Sequence, residues 1–185
     1  MKQKGFVLYT ALAMLVIMSF LAIYMYRSFI QDQKISGNLR EKERAVDAAE
    51  TAMDYVEYWL SQPGNSYTGT WVTGVTCSST NQSGSTPVIC SNALANPTTL
   101  PWSSYNTFQP KGMTILAAGG QQNSYAALTN VYIQYLGSLD SGPSSPAETA
   151  TYQVTVTAQG GNATAATVIQ SVLQVQATSV DVSGG

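Results

Sequence analysis

Hydrophobic positions along this chain follow three successive patterns. From Phe6 to Tyr26 there are 21 residues without a formal charge, with apolar side chains on every helical face. At 1.5 Å per residue that stretch covers about 30 Å, the hydrocarbon thickness of a bilayer. An apolar perimeter with Tyr24 and Tyr26 at its far end, where interfacial aromatics collect, predicts lipid around the helix. From Arg27 onward the spacing turns amphipathic. Ile35, Leu39, Val46, Ala49, Met53, Val56 and Leu60 keep largely to steps of three, four and seven, which predicts a continuing helix with one packing face. Arg40 with Glu43, and Arg44 with Asp47, are spaced for ion pairs on the solvent side. Pro63-Gly64 ends the element, so helix is expected over Phe6 to Ser61, about 80 Å, with Gly37 its weak point. The third pattern is period two. Val131 to Gly137 reads as a strand, Thr151 to Ala158 alternates cleanly, Gly160-Gly161-Asn162 supplies a turn, and Ala165 to Thr178 returns. These elements predict a long helix followed by a mostly β head.

Charge divides the chain at the same place. Only 10% of the 185 residues are charged, against an ordinary level of about 25%, and the net charge is -2. Beyond Leu60 the only charged residues are Lys111, Asp140, Glu148 and Asp181. A head with one cation has no surface for neutralising phosphates, which argues against nucleic-acid binding. The chain has no His and two Cys, so the commonest general base and metal ligand are missing and zinc clusters are excluded. No sequence-visible acid pair remains, and no catalytic function is expected. Few head groups titrate between neutral and acidic pH, so its stability should change little across that range.

The N-terminal run also bears on processing. A secretory signal places a small-residue cleavage site after its apolar region. Here Ala11-Leu12-Ala13 lies inside the run and nothing of that kind follows it. The small residue, Gly5, instead sits between the basic leader Met1-Lys2-Gln3-Lys4 and Phe6. In this the sequence resembles a type IV prepilin. The resemblance implies that residues 1–5 are a leader cut after Gly5 by prepilin peptidase, and that Phe6 becomes an N-methylated first residue. Lys2 and Lys4 agree with a cytoplasmic leader. Most pilins carry Glu five residues into the mature chain, where this sequence has Thr10. A carboxylate in the bilayer is costly unless paired, and in the family it is thought to pair with a neighbouring subunit's N-terminal amine. Its absence is similar to the tip or priming class of minor pilins and pseudopilins.

Two further stretches sharpen the likeness. Lys34-Ile35-Ser36-Gly37-Asn38-Leu39-Arg40, then Ala45-Val46-Asp47-Ala48-Ala49-Glu50-Thr51-Ala52-Met53, are similar to the N-terminal region of PilX-type minor pilins. The C-terminal pieces Tyr132 to Gly137, Tyr152 to Gly161 and Ile169-Gln170-Ser171 resemble the end of their heads. The resemblance implies an α+β, type IV pilin-like fold: a long N-terminal helix on an antiparallel β-sheet head. It divides the chain into leader 1–5, membrane and filament-core helix 6–26, amphipathic continuation 27–61 and periplasmic head 62–185. It implies a minor pilin in the priming or tip complex of a type IV pilus, held in the inner membrane before assembly. Its expected partners are other minor pilins, the major pilin, prepilin peptidase and the assembly platform; no cofactor is expected. The tip pseudopilin of a type II secretion system shares the missing Glu, but usually carries a large inserted helical domain for which there is no room. Two competing readings of the same features are a signal-anchored adhesin or binding module, and a modulator of adhesion distributed along the pilus. Residues 65–122 carry no likeness.

Within that middle region Cys77 and Cys90 enclose 12 residues. A head delivered across the membrane meets oxidising conditions, so a disulfide is expected. Asp140 and Glu148 share a loop with too few carboxylates for a tight Ca²⁺ site. Asn81-Gln82-Ser83 and Asn162-Ala163-Thr164 match the N-glycosylation pattern by chance in this context. Trp71, Trp102, Tyr105, Phe108 and Tyr125 could form a stacking surface for a ligand, but core packing is the simpler role.

Overall fold

The structure is a computed structural model that describes residues 4–78, 86–115, 124–139 and 149–176. The leader residues Met1–Gln3, the Asn81 glycosylation pattern and the Asp140 to Glu148 loop lie outside the described residues. Helix α1 spans Lys4–Ser61, and it runs on without interruption through Gly37. The chain divides into two units, Met1–Arg40 and Glu41–Gly185. In the first, the described residues form bare helix.

The second unit is built on one sheet. Its strands are β1 (Ile89–Cys90), β2 (Asn106–Phe108), β3 (Thr129–Leu139), β4 (Thr149–Gln159) and β5 (Ala166–Gln176). The order is β1-β3-β4-β5, and β2 also joins β3. All pairings are antiparallel except β1 with β3. The predicted strands thus exist, each close to its expected place, and the fold is α+β. The β4–β5 turn closes through Gly160 N–H donating to Ala165 O at 2.9 Å and Ala165 N–H to Asn162 O at 3.0 Å.

β4 supplies one face of the main core and buries Thr155 and Thr157 on its other face. Toward α1 it presents Ala150, Tyr152, Val154, Val156 and Ala158, which pack with Val131, Ile133 and the helix residues Ala48, Ala49, Ala52, Val56 and Leu60. The helix stripe differs from the expected one. Ile35 and Leu39 are each 58% exposed, and packing begins at Ala45. Alanines at 45, 48, 49 and 52 have almost no side chain to hold the helix away from the sheet, so the contact runs along small residues before reaching Val56 and Leu60. On the other face, Tyr132 packs with Cys77, Cys90 and Trp102 under Val88, Leu94, Leu100 and Tyr105.

α1 ends where its last carbonyls find partners. Asn65 Nδ2 donates to Trp59 O at 2.8 Å and Ser66 Oγ to Leu60 O at 2.7 Å, with Gly64 at positive φ reversing the chain. The buried Tyr152 hydroxyl fixes the segment that follows, at 3.2 Å from both Ser66 O and Val72 O.

Candidate functional site

The residues that carry processing and assembly in the sequence argument lie on the first unit. Phe6 is 75% exposed, and the large apolar side chains from Val7 to Tyr26 are exposed with it. None of the most apolar stretch of this helix is buried among the described residues. This helix is long and apolar enough to cross a membrane, as expected for a membrane-anchored chain. In water so much uncovered apolar surface would drive association; in a bilayer it is at rest.

Thr10 is the polar residue at the position where the resemblance to pilins leads one to expect Glu. Its hydroxyl lies 3.0 Å from Val7 O and 3.2 Å from Phe6 O, so it can donate back to its own helix. Ser19 does the same to Leu15 O at 2.7 Å. These bonds satisfy each hydroxyl inside the helix that carries it. A carboxylate at this position would need a cation from outside; Thr10 needs nothing from a neighbour.

In the second unit the cysteines form the expected disulfide, Cys77–Cys90, with Cα atoms 5.3 Å apart. Asn92 clamps it from the side: Cys77 N–H donates to Asn92 Oδ1 at 2.7 Å, and Asn92 Nδ2 to Cys77 O at 3.2 Å. Tyr132 Oη donates to Asn92 O at 2.9 Å, tying this loop to β3. Trp102 Nε1 donates to Pro97 O at 2.9 Å. The aromatics of the middle region are split between the two cores: Trp71, Phe108 and Tyr125 pack on the first, Trp102 and Tyr105 in the second. They form packing, with Tyr55 and Phe108 stacked at 4.2 Å, and no shared platform.

A second constellation escaped the sequence. Arg44 donates from Nη1 to both oxygens of Glu41, at 3.1 and 3.0 Å, and from Nη2 to Ser124 O at 3.1 Å. Its guanidinium lies 4.5 Å above the Tyr125 ring. The expected partner was Asp47; Glu41 wins because its carboxylate also accepts from Gly161 N–H in the β4–β5 turn. The turn comes so close that a Cβ on Gly160 would run into the Glu41 backbone oxygen. The double glycine was the available signal: one would have served a turn, and two mark a close approach.

Two tyrosines have altered acidity. Burial raises Tyr132 above its usual value. Burial, with a smaller contribution from neighbouring Tyr135, pushes Tyr152 up to about 12. Both hydroxyls therefore stay protonated donors at any physiological pH. Among the described residues no cluster of His, Cys, Asp or Glu is placed to hold a metal ion. No family model, curated protein or solved structure matches the chain.

Proposed function

We propose that the protein is a minor pilin of the PilX type that helps to initiate type IV pilus assembly. The observation that carries this is the N-terminal arrangement: a basic leader, Gly5-Phe6, and a helix of 21 uncharged residues that no described residue covers. Prepilin peptidase removes residues 1–5, and the helix from Phe6 waits in the inner membrane with the head in the periplasm. When the subunit leaves the bilayer, the lipid lost from its apolar perimeter is replaced by the helices of other pilins. Thr10 adds to this. With its hydroxyl satisfied internally, it supplies no carboxylate for the amine of an adjoining subunit, so the chain suits a tip or priming position better than a repeating one. The function is assembly rather than turnover.

Deleting the protein in a strain whose pilus retraction is disabled tests the role. The expected result is a large loss of surface filaments, restored by the wild-type chain. Normal filament numbers would overturn the priming role.

A further inference from the structure

The docked part of α1 is held differently at its two ends. Glu41 meets Gly161 in the β4–β5 turn, whereas Leu60 shares a groove with Thr149, Leu173 and Val175 at the far end of the same hairpin. The helix therefore runs opposite to β4, from the Ala158 end toward Ala150. Val56 and Leu60 belong to the second end, where the Tyr152 hydroxyl also holds the chain just past the helix, at 3.2 Å from both Ser66 O and Val72 O.

Along its first half the helix offers the sheet Ala45, Ala48, Ala49 and Ala52. Each supplies a single methyl, so this half gains little from burial. The sheet has a matching deficit. The buried hydroxyls of Thr129, Thr157 and Thr167 have no hydrogen-bond partner among the described residues. Thr167 stands opposite Ala158 in register, and strand alternation turns Thr129 to the same side as Val131, toward α1. Two of these hydroxyls thus face the alanine end of the helix. An unpaired buried hydroxyl is costly, and both would reach water if the helix lifted.

A clasp offsets this weakness. The Glu41 carboxylate accepts from Gly161 N–H and from Arg44, and Arg44 donates onward to Ser124 O and lies over the Tyr125 ring. Ala126 N–H donates to Gly160 O at 2.7 Å, which closes the joint between the other two segments. The helix behind the clasp needs no sheet to remain helical, since residues 41–52 hold four alanines and neither Gly nor Pro.

We infer that residues 41–52 form a strap: when the Glu41–Arg44–Gly161 clasp opens, they lift from the sheet as intact helix while residues 53–60 stay docked and the head stays folded. Opening lengthens the uncovered run of α1 by about 18 Å at 1.5 Å per residue.

Thiol labelling of the full-length chain in detergent micelles tests this, with the native cysteines held in their disulfide. Ala49→Cys probes the strap, Ala48→Cys repeats it at a second position, and Val56→Cys probes the docked end. Rates are compared after correction for each thiol's reactivity in the denatured chain. Without denaturant the strap thiol should react at least tenfold faster than Val56→Cys, and its rate should change little with denaturant below the unfolding transition. Arg44→Met should speed labelling of the strap at least tenfold, and Thr129→Val with Thr167→Val should slow it. Tyr152→Phe, which removes bonds that the lifted state keeps, should speed labelling at Val56→Cys and leave the strap rate unchanged. Equal corrected rates at both ends with the same denaturant dependence would overturn the inference, because the helix and head would then open as one unit. So would an Arg44→Met variant that leaves the strap rate unchanged.

Discussion

One helix carries apolar residues in two opposite circumstances. Between Phe6 and Tyr26 the large apolar side chains are 45% to 83% exposed, whereas Ala45, Ala49, Ala52, Val56 and Leu60 are 0% exposed. The second unit completes its core from its own strands. The first has no such completion, so its apolar surface must be covered by lipid or by other chains. Similar hydrophobicity thus serves folding in one unit and, in the proposed function, location and assembly in the other, and each can be disturbed separately.

The largest contrast comes from truncating one leucine in each unit. Leu60→Ala should destabilise the head by about 2–5 kcal/mol, through lost transfer energy and a cavity between α1 and the sheet. Leu21→Ala should leave head stability unchanged. All three tryptophans, Trp59, Trp71 and Trp102, lie in the second unit, so denaturant unfolding followed by Trp fluorescence in detergent reports the head alone. Equal effects of the two substitutions would break the comparison.

Removing the disulfide with Cys77→Ser and Cys90→Ser should cost the head about 3 kcal/mol, by freeing a loop of this size in the unfolded chain. The same unfolding measurement checks it. Partitioning of the protein into membranes should not change, since the anchor lies in the other unit.

Alkali should act on the head through Tyr152. Its folded pKa of about 12 exceeds the unfolded value of about 10. Below pH 10 both states hold the proton and the shift has no effect. Between 10 and 12 the unfolded state loses its proton first, so stability falls as pH rises, by at most about 2–3 kcal/mol. Tyr152→Phe should remove this part of the alkaline loss while costing about 1 kcal/mol at neutral pH through the lost hydroxyl bond. Unfolding curves across that range, with tyrosinate absorbance as the titration signal, separate the two effects.

The smallest expected effect is at Arg44. Arg44→Lys keeps the charge but loses the forked contact with Glu41 and much of the stacking on Tyr125, for about 1 kcal/mol of head stability. Slower amide exchange at Gly161 in the wild type than in the variant would locate the loss in the β4–β5 turn.

Much of this organisation was legible because its causes are local. A charge-free run of membrane length, alternation in β4 and a glycine-rich turn each act through neighbouring residues, and two cysteines can form only one intramolecular disulfide. The parts that escaped depend on distant residues. Ile89–Cys90 becomes a strand because Ile133–Gln134 lies on one side of it and Val75 on the other, and nothing in two residues announces that. Arg44 has candidate partners three residues away on either side, and the contact with Gly161, far along the chain, decides between them. The packing stripe of α1 was placed too early because Ile35 and Leu39 are more hydrophobic than the alanines that make the contact. Spacing identifies an apolar face but not where along the helix its partner begins. Thr10 was legible as a departure from a family pattern. That its hydroxyl turns back onto Phe6 O and Val7 O required the helix itself.

The central claim rests on what happens at Gly5-Phe6. Mass spectrometry of the N-terminus of the membrane-extracted protein, in cells with and without prepilin peptidase, tests it most directly. The expected result is an N-methylated Phe6 that appears only when the peptidase is present. An intact Met1 or Lys2 terminus in both strains would contradict it and make the chain a signal-anchored surface protein.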